Sequence, residues 1–483
     1  MLDEPLYIIK SERASQGKGS AFNSANVSRG SNTKNKSALA VLQQQFLEID
    51  DCEKPPRASA VPSDEWAQMY GLQEKTKKIG AASEDYSGQS EFKLFTVSVK
   101  LFFGISYLSM PNTFAQCGIF GGIALFTIMI VVNGMTMMQL LKVAEAYRDV
   151  KSYSDLGERI FGKHGQLVVD ICILIKQVAT CVTYLYFVAT QLDFIICRES
   201  SHCLGNKIYM LVLIIPVIMM SSIMTYQHMS YLSIPSICIA LTGMLCIFYY
   251  SFSQMTMGLT SSEELVYFDF WKVVGRMGLA MYLFDGTAMI VNVSAEAGPV
   301  MRKRYPKILM KAIIFDLTLF ILFASICYYV YREDSQPIFT MSLVPINSMV
   351  IVIFGCVCIN ALTSYPMQIL SAFTIIEKFI MIPNDQEGLN AIKRVTLRAL
   401  IIIMTTLLCM MVKTFTDFIN IAGALGSVTV AFILPQLFYL KTFKNSLSIQ
   451  AKIGCYSIAI FGLIGGSYSI YYSIHKLMQG DFS

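Results

Sequence analysis

The hydrophobic pattern of this chain is a succession of long apolar runs separated by short polar loops. Beyond residue 92 these runs are about 20 residues long or more, enough to cross a bilayer core of about 30 Å as helices. We count eleven runs, which predict an all-α membrane protein with eleven transmembrane helices. Their approximate limits are 93–115, 119–141, 165–197, 207–225, 230–252, 271–294, 311–331, 346–376, 395–412, 416–440 and 453–475.

The first 92 residues differ from the rest of the chain. They are rich in Ser, Asn, Lys and Glu with few aliphatic runs, so they cannot bury enough apolar surface to offset chain entropy. We therefore expect a disordered cytosolic tail at 1–92, a membrane domain at 93–475 and a short C-terminal tail at 476–483. We expect no cleaved signal peptide, so that the first span acts as the targeting signal.

Composition agrees with a lipid bilayer as the main environment, because 54% of the residues are hydrophobic and only 15% are charged. The net charge of +5 does not indicate nucleic acid binding. The 13 cysteines lie mostly inside apolar runs without the spacing of a zinc site, so no metal is expected. Cys197 and Cys203 flank a short polar loop and would form a local disulfide if that loop faces an oxidising compartment; otherwise they remain free thiols.

Lys and Arg concentrate in alternate loops, and such loops are retained on the cytoplasmic face. The basic residues of these loops include Lys142, Arg148, Lys151, Arg159, Lys163, Arg302, Lys303, Arg304, Lys307, Lys311, Lys378, Lys393, Arg394, Arg398, Lys441, Lys444 and Lys452. This alternation predicts a cytosolic N-terminus and a C-terminus on the opposite side.

Two spans carry helix-breaking residues at the same relative depth. The first span reads KLFFGISYLSMP, which places Gly104 and Ser106 before Pro111. The sixth reads GLAMYLFDGTAM, which carries Asp285 and Gly286. Paired interrupted helices in corresponding positions of two halves are typical of carriers built from inverted repeats.

An interrupted helix exposes free backbone N–H groups on one half and free carbonyls on the other. We therefore expect amides near Ser106, Tyr107 and Leu108 to bind a carboxylate. Carbonyls near Leu283 and Phe284 would bind an ammonium group, which together suits a zwitterion such as an amino acid. The alternative is that Gly104 and Gly286 only allow neighbouring helices to pack closely.

Asp285 is the only acidic residue near the middle of the sixth span, where a charge is costly, and it is a candidate for carrying a coupling proton. The structural alternative is an ion pair with a nearby base, for example Arg276 or Lys100.

Thr363 and Ser364 supply adjacent hydroxyls just before Pro366 in the eighth span, and oxygen ligands of this kind suit a sodium ion beside a broken helix. The alternative is that they satisfy backbone groups within their own helix. The driving ion therefore stays open between proton and sodium.

The sequence contains no Gly-rich phosphate loop, no Ser/His/Asp set and no His-based metal site. We therefore expect neither an enzyme nor a bound cofactor.

Six motifs in order resemble the amino acid/auxin permease family, within the amino acid/polyamine/organocation superfamily, over about residues 93–475. They are KLFFGISYLSMPNTFAQCG, SYSDLGERIFGKHG, CVTYLYFVA, FDG, SYPMQ with Glu377 downstream, and FINIAGALGSVTVAFILPQLFYLK. The resemblance implies a leucine-transporter-like 5+5 inverted repeat plus one C-terminal helix, and it makes Tyr184 a pocket candidate. Ser106 stands where a second glycine is usual, and Asp285 where glutamate is usual.

These observations predict a secondary active transporter that moves amino acids by alternating access, coupled to a proton or sodium gradient. The alternative is an amino acid sensor that signals through its N-terminal tail with little flux. A plasma membrane or a vacuolar or lysosomal membrane would fit. The sequence leaves open the amino acids carried, the direction of transport and the oligomeric state.

Overall fold

A computed structural model describes residues 90–200, 203–223, 226–258, 260–261, 264–380 and 388–479. Within these ranges the chain is helical and holds no strand, in agreement with the predicted all-α class. Residues 1–89 and 480–483 lie outside the described residues, and the expectations for the two tails there are untested.

The helices are labelled α1 to α15 in chain order. They are α1 Glu91–Phe102, α2 Met110–Cys117, α3 Ile119–Ala146, α4 Tyr153–Ser200, α5 Asn206–Ile223, α6 Tyr226–Thr256, α7 Phe270–Gly275, α8 Met277–Leu283, α9 Thr287–Glu296, α10 Pro299–Tyr331, α11 Ser348–Phe379, α12 Gly388–Cys409, α13 Phe415–Ala422, α14 Leu434–Thr442 and α15 Ile449–Gln479. A 3₁₀ turn, Ser106–Ser109, precedes α2, and a π-helical segment, Gly423–Ile433, joins α13 to α14.

Each predicted apolar run has a helical counterpart, but their lengths do not establish the count of eleven spans. Among the described residues, eight helical stretches are long and apolar enough to cross a membrane, and the bent pair of α1 with Ser106–Cys117 makes nine. Helix α5 has a shorter apolar stretch, and α12 begins with a basic segment that holds Lys393, Arg394 and Arg398.

The predicted interruptions are present in both the first and the sixth span. Helix α1 ends at Phe102, and the chain resumes regular winding only at Ser106, with a bend of 41° between the two parts. In the sixth span, α8 ends at Leu283 and α9 begins at Thr287. Both breaks lie in the interior of the bundle, because the residues around them are almost fully buried.

Close helix crossings hold the sixth span against the tenth. A Cβ atom on Gly423 would overlap the carbonyl oxygen of Gly278, and one on Gly278 would overlap that of Asn420. The Asn420 side chain also bridges these segments, since its amide donates to the carbonyl of Gly275 at 2.8 Å and its oxygen accepts from the amide of Leu279 at 2.7 Å. The backbone around α8 is therefore fixed just before the break.

Candidate functional site

A small cavity of about 30 Å³ lies where the two helix breaks face each other. Its lining comes from the first, third, sixth and eighth spans: Leu101, Phe102, Gly104, Ser106, Lys176, Thr180, Tyr184, Tyr282, Leu283, Asp285 and Gln368. Small-molecule pockets have volumes of about 300–1,000 Å³, so this cavity is much smaller than a typical binding pocket in this conformation. Among the predicted site residues, Gly104, Ser106, Tyr184, Leu283 and Asp285 line it.

The other predicted residues sit behind the lining. The ring of Tyr107 stacks on that of Phe320 with centroids 5.5 Å apart, and the ring of Phe284 lies 6.2 Å from the same Phe320 ring. Leu108 is fully buried. A Cβ atom on Gly286 would come within 3.2 Å of the Phe102 ring, so this glycine serves close packing of the first and sixth spans.

The first break exposes backbone N–H groups. Within the described residues, the amides of Ile105, Ser106 and Tyr107 have no hydrogen-bond acceptor. The amide of Leu108 donates to the carbonyl of Ile105 at 3.1 Å, so it is already used. Three free amides at the start of a helical segment form a positive pole suited to a carboxylate.

The sixth break exposes backbone carbonyls. Those of Leu283 and Phe284 accept no hydrogen bond from the described part of the chain. Because they end helix α8, they carry the negative end of its dipole. Ser106 at the first break and Leu283 at the sixth both line the cavity, so backbone groups of opposite polarity adjoin it.

Asp285 pairs with Lys176 of the third span. The Lys176 Nζ atom lies 2.8 Å from Asp285 Oδ2 and donates to the Asp285 carbonyl oxygen at 3.1 Å. The Asp285 side chain is fully buried and that of Lys176 is 6% exposed. Asp285 therefore forms an ion pair, as the structural alternative suggested, but the suggested partners Arg276 and Lys100 are wrong. The partner is Lys176, which lies 109 positions away in the sequence.

The two suggested bases have other partners. Arg276 pairs with Asp417 at 2.9 Å and donates from Nε to Gln116 Oε1 at 2.6 Å, with both charged side chains almost fully buried. Lys100 donates to the side-chain oxygen of Asn360.

Asn360 connects the break in the first span to the candidate sodium residues. Its amide donates to the carbonyl of Gly104 at 2.9 Å. Thr363 bonds to Ser236 of the fifth span at 2.7 Å and also donates to carbonyls of its own helix, as Ser364 does to the Asn360 carbonyl at 2.7 Å. Both hydroxyl groups therefore donate hydrogen bonds to backbone carbonyls of their own helix in this structure.

A larger vestibule of about 440 Å³ opens at the end of the bundle where α1 begins. It is lined by the start of α4 and the ends of α9 and α11: Lys151, Ser152, Tyr153, Ser154, Asp155, Ile173, Ala288, Asn292, Ala295, Glu296, Ser371, Thr374, Ile375 and Lys378. We call this end the tail end. Towards the opposite end Arg276 bonds to Asp417 and Gln116 in the interior of the bundle. Near that end a disulfide joins Cys197 to Cys203.

Lys176 is the main site residue that sequence reasoning missed. A lysine within a predicted span is costly enough to mark a functional position, and this signal was present in the third run. Thr180, Tyr282 and Gln368 were also missed, because hydroxyl and amide groups are common in spans and only the fold shows which face the cavity.

With this geometry in view, the sequence comparisons define the class. The profile of the family described as transmembrane amino acid transporter protein matches residues 87–475, and the chain belongs to that family. It is similar to "Amino acid transporter AVT3A" of Arabidopsis thaliana, with 24% identity covering 89% of this chain and 98% of the relative. It is also similar to "Vacuolar amino acid transporter 4" of Saccharomyces cerevisiae, with 22% identity covering 74% of this chain and 53% of the relative.

The fold is similar to that of a solved transporter. The structure described as a substrate-bound outward-open state of a Na⁺-coupled sialic acid symporter superposes with a TM-score of 0.51 at 12% identity. The match covers 86% of this chain and 97% of the symporter chain. At this identity the likeness concerns the fold alone.

Proposed function

We propose that this protein is a secondary active carrier that moves amino acids across a membrane by alternating access. One observation supports it above all: Ser106, whose amide is unpaired, and Leu283, whose carbonyl is unpaired, both line one small cavity, and the unpaired amides of Ile105 and Tyr107 and carbonyl of Phe284 adjoin them in the chain. This arrangement matches the carboxylate and the ammonium group that all α-amino acids share. Side-chain selectivity then depends on the lining residues Tyr184, Tyr282 and Gln368.

The proposal includes eleven spans with a leucine-transporter-like 5+5 repeat and one further helix. The alternation of Lys and Arg supports a cytosolic tail end. The vacuolar name of the yeast relative favours a vacuolar or lysosomal membrane over the plasma membrane. The sensor alternative depends on a tail that lies outside the described residues, and no described contact favours it.

Between the two driving ions, the structure favours the proton. The Lys100 side chain donates to Asn360, and the nearby hydroxyls of Thr363 and Ser364 are already hydrogen-bonded to Ser236 and to the Asn360 carbonyl. Asp285 is an acidic residue of the sixth span that lines the cavity. Asp285 therefore remains our coupling candidate, and Thr363 and Ser364 are the residues to test for sodium.

The experiment is uptake into proteoliposomes of each radiolabelled proteinogenic amino acid under an imposed proton gradient, an imposed sodium gradient or neither. We expect a proton gradient to accelerate uptake and a sodium gradient to have no effect. Asp285→Asn should remove the dependence on the proton gradient, whereas Thr363→Val should leave it intact. Uptake of no amino acid under any gradient would overturn the proposal, and acceleration by sodium that Thr363→Val abolishes would reverse the choice of ion.

A further inference from the structure

The Lys176 ammonium group lies beside the place proposed for the substrate's ammonium group. It touches both the carboxylate and the carbonyl of Asp285, directly after the free carbonyls of Leu283 and Phe284. The third span packs against Gly426 of the π-helical segment at the position of Lys176. A Cβ atom on Gly426 would come within 3.0 Å of the Lys176 side chain. The stem of this lysine is therefore accommodated by a residue without a side chain.

The cavity volume shows the consequence of this position. The cavity beside the intact ion pair has a volume of about 30 Å³, far below that of a typical ligand pocket. The tail-end vestibule begins at Ile173, three residues before Lys176 on the same helix, and its lining holds Glu296 without a described salt bridge as well as Lys151 and the pair of Asp155 with Lys378 at 3.6 Å. Polar space for a displaced lysine side chain thus lies one helical turn away.

Charge balance gives the lysine a role in the transport cycle. When substrate is bound, its ammonium group can neutralise Asp285. When the site is empty, Asp285 would be an unpaired carboxylate deep in the bundle, and the return step would expose that uncompensated charge to a low-dielectric interior. Lys176 removes this barrier by taking the place of the missing ammonium group.

We propose that Lys176 acts as a tethered substitute for the substrate's ammonium group and that it allows the empty carrier to return. The inference rests on the proposed transport of amino acids and adds a separate step to it. Net uptake requires the empty return, whereas exchange of internal for external substrate does not. Lys176 therefore acts on the ratio of net uptake to exchange.

The test compares two assays on the intact protein in proteoliposomes, with a radiolabelled mixture of the proteinogenic amino acids as the probe. Net uptake is measured into empty vesicles, and exchange into vesicles preloaded with the same unlabelled mixture. For Lys176→Met we expect the ratio of net uptake to exchange to fall about tenfold or more, because Asp285 is left unpaired in the empty state. Lys176→Arg, which keeps the charge, should retain most of the ratio.

A double variant controls for misfolding. Lys176→Met with Asp285→Asn removes both charges, so the ratio should recover towards that of the wild-type protein even if both rates are lower. An equal reduction of net uptake and exchange in Lys176→Met, or no recovery in the double variant, would overturn the inference. Absence of both activities in the wild-type protein would instead refute the proposed function.

Discussion

At the scale of single residues, several buried charged side chains of this protein occur with specific partners. Lys176 pairs with Asp285 at the cavity, and Arg398 pairs with Glu377 at 2.8 Å between the eighth and ninth predicted spans. A charge in the membrane interior is tolerated when it is paired or bonded to polar groups, so each pair fixes the relative position of two helices. The buried Lys100 side chain instead donates a hydrogen bond to the neutral side chain of Asn360.

Gly104 is the residue at which a single methyl group should have the largest effect on the site. A Cβ atom there would overlap the hydroxyl of Tyr184, which faces the same cavity. We expect Gly104→Ala to displace the Tyr184 ring and to lower the initial rate of amino acid uptake by about tenfold or more, because small misplacements in a binding site are costly. Initial rates at several substrate concentrations would measure it.

The control for this prediction is a rescue. Tyr184→Phe removes the overlapping oxygen, so the double variant Gly104→Ala/Tyr184→Phe should transport faster than Gly104→Ala alone. If the double variant is as slow as Gly104→Ala, the methyl group acts through the backbone of the break and not through Tyr184.

At the scale of helices, the sequence predicted the features that depend on local composition. The breaks near Gly104 and Asp285 follow from Gly, Ser and Pro within apolar runs, which weaken a helix wherever the rest of the chain lies. The partner of Asp285 could not be obtained in this way, because it depends on which face of the third span meets the sixth. Likewise, hydropathy gave helical counterparts for the eleven runs but could not show that Tyr107 and Phe284 turn their side chains away from the cavity.

The crossing of the sixth and tenth spans leads to a prediction about stability. Because a Cβ atom on Gly423 would overlap the backbone of Gly278, Gly423→Ala should force the two spans apart and lower the free energy of unfolding by about 1–3 kcal/mol. Thermal unfolding in detergent would measure this. Gly355→Ala is the matched control, because a Cβ atom there meets no other atom within 4 Å, and its unfolding temperature should be unchanged or slightly higher. Equal effects of the two substitutions would contradict the close crossing.

At the scale of the whole molecule, the two ends of the bundle differ. The tail end has a vestibule of about 440 Å³, whereas the Arg276–Asp417 pair lies buried towards the opposite end. The proposed alternating access would require that end to open in another state, with the charges there hydrated or paired again. We therefore expect the stability of the Arg276–Asp417 pair to set the balance between the two proposed states.

Asp417→Asn should shift that balance towards a state open at the end opposite the vestibule. The substitution leaves the fully buried Arg276 without its counter-ion, which costs about 3–5 kcal/mol in the closed state, whereas opening lets water solvate the guanidinium group. A polar thiol reagent applied from that side should then react at least about tenfold faster with a cavity cysteine introduced by Thr180→Cys. Asp269→Asn is the matched control, because it weakens the exposed pair with Lys272 at 3.7 Å while asparagine can still accept the N-cap hydrogen bond from the Lys272 amide. If both substitutions change the reaction rate equally, the Arg276–Asp417 pair does not keep this end closed.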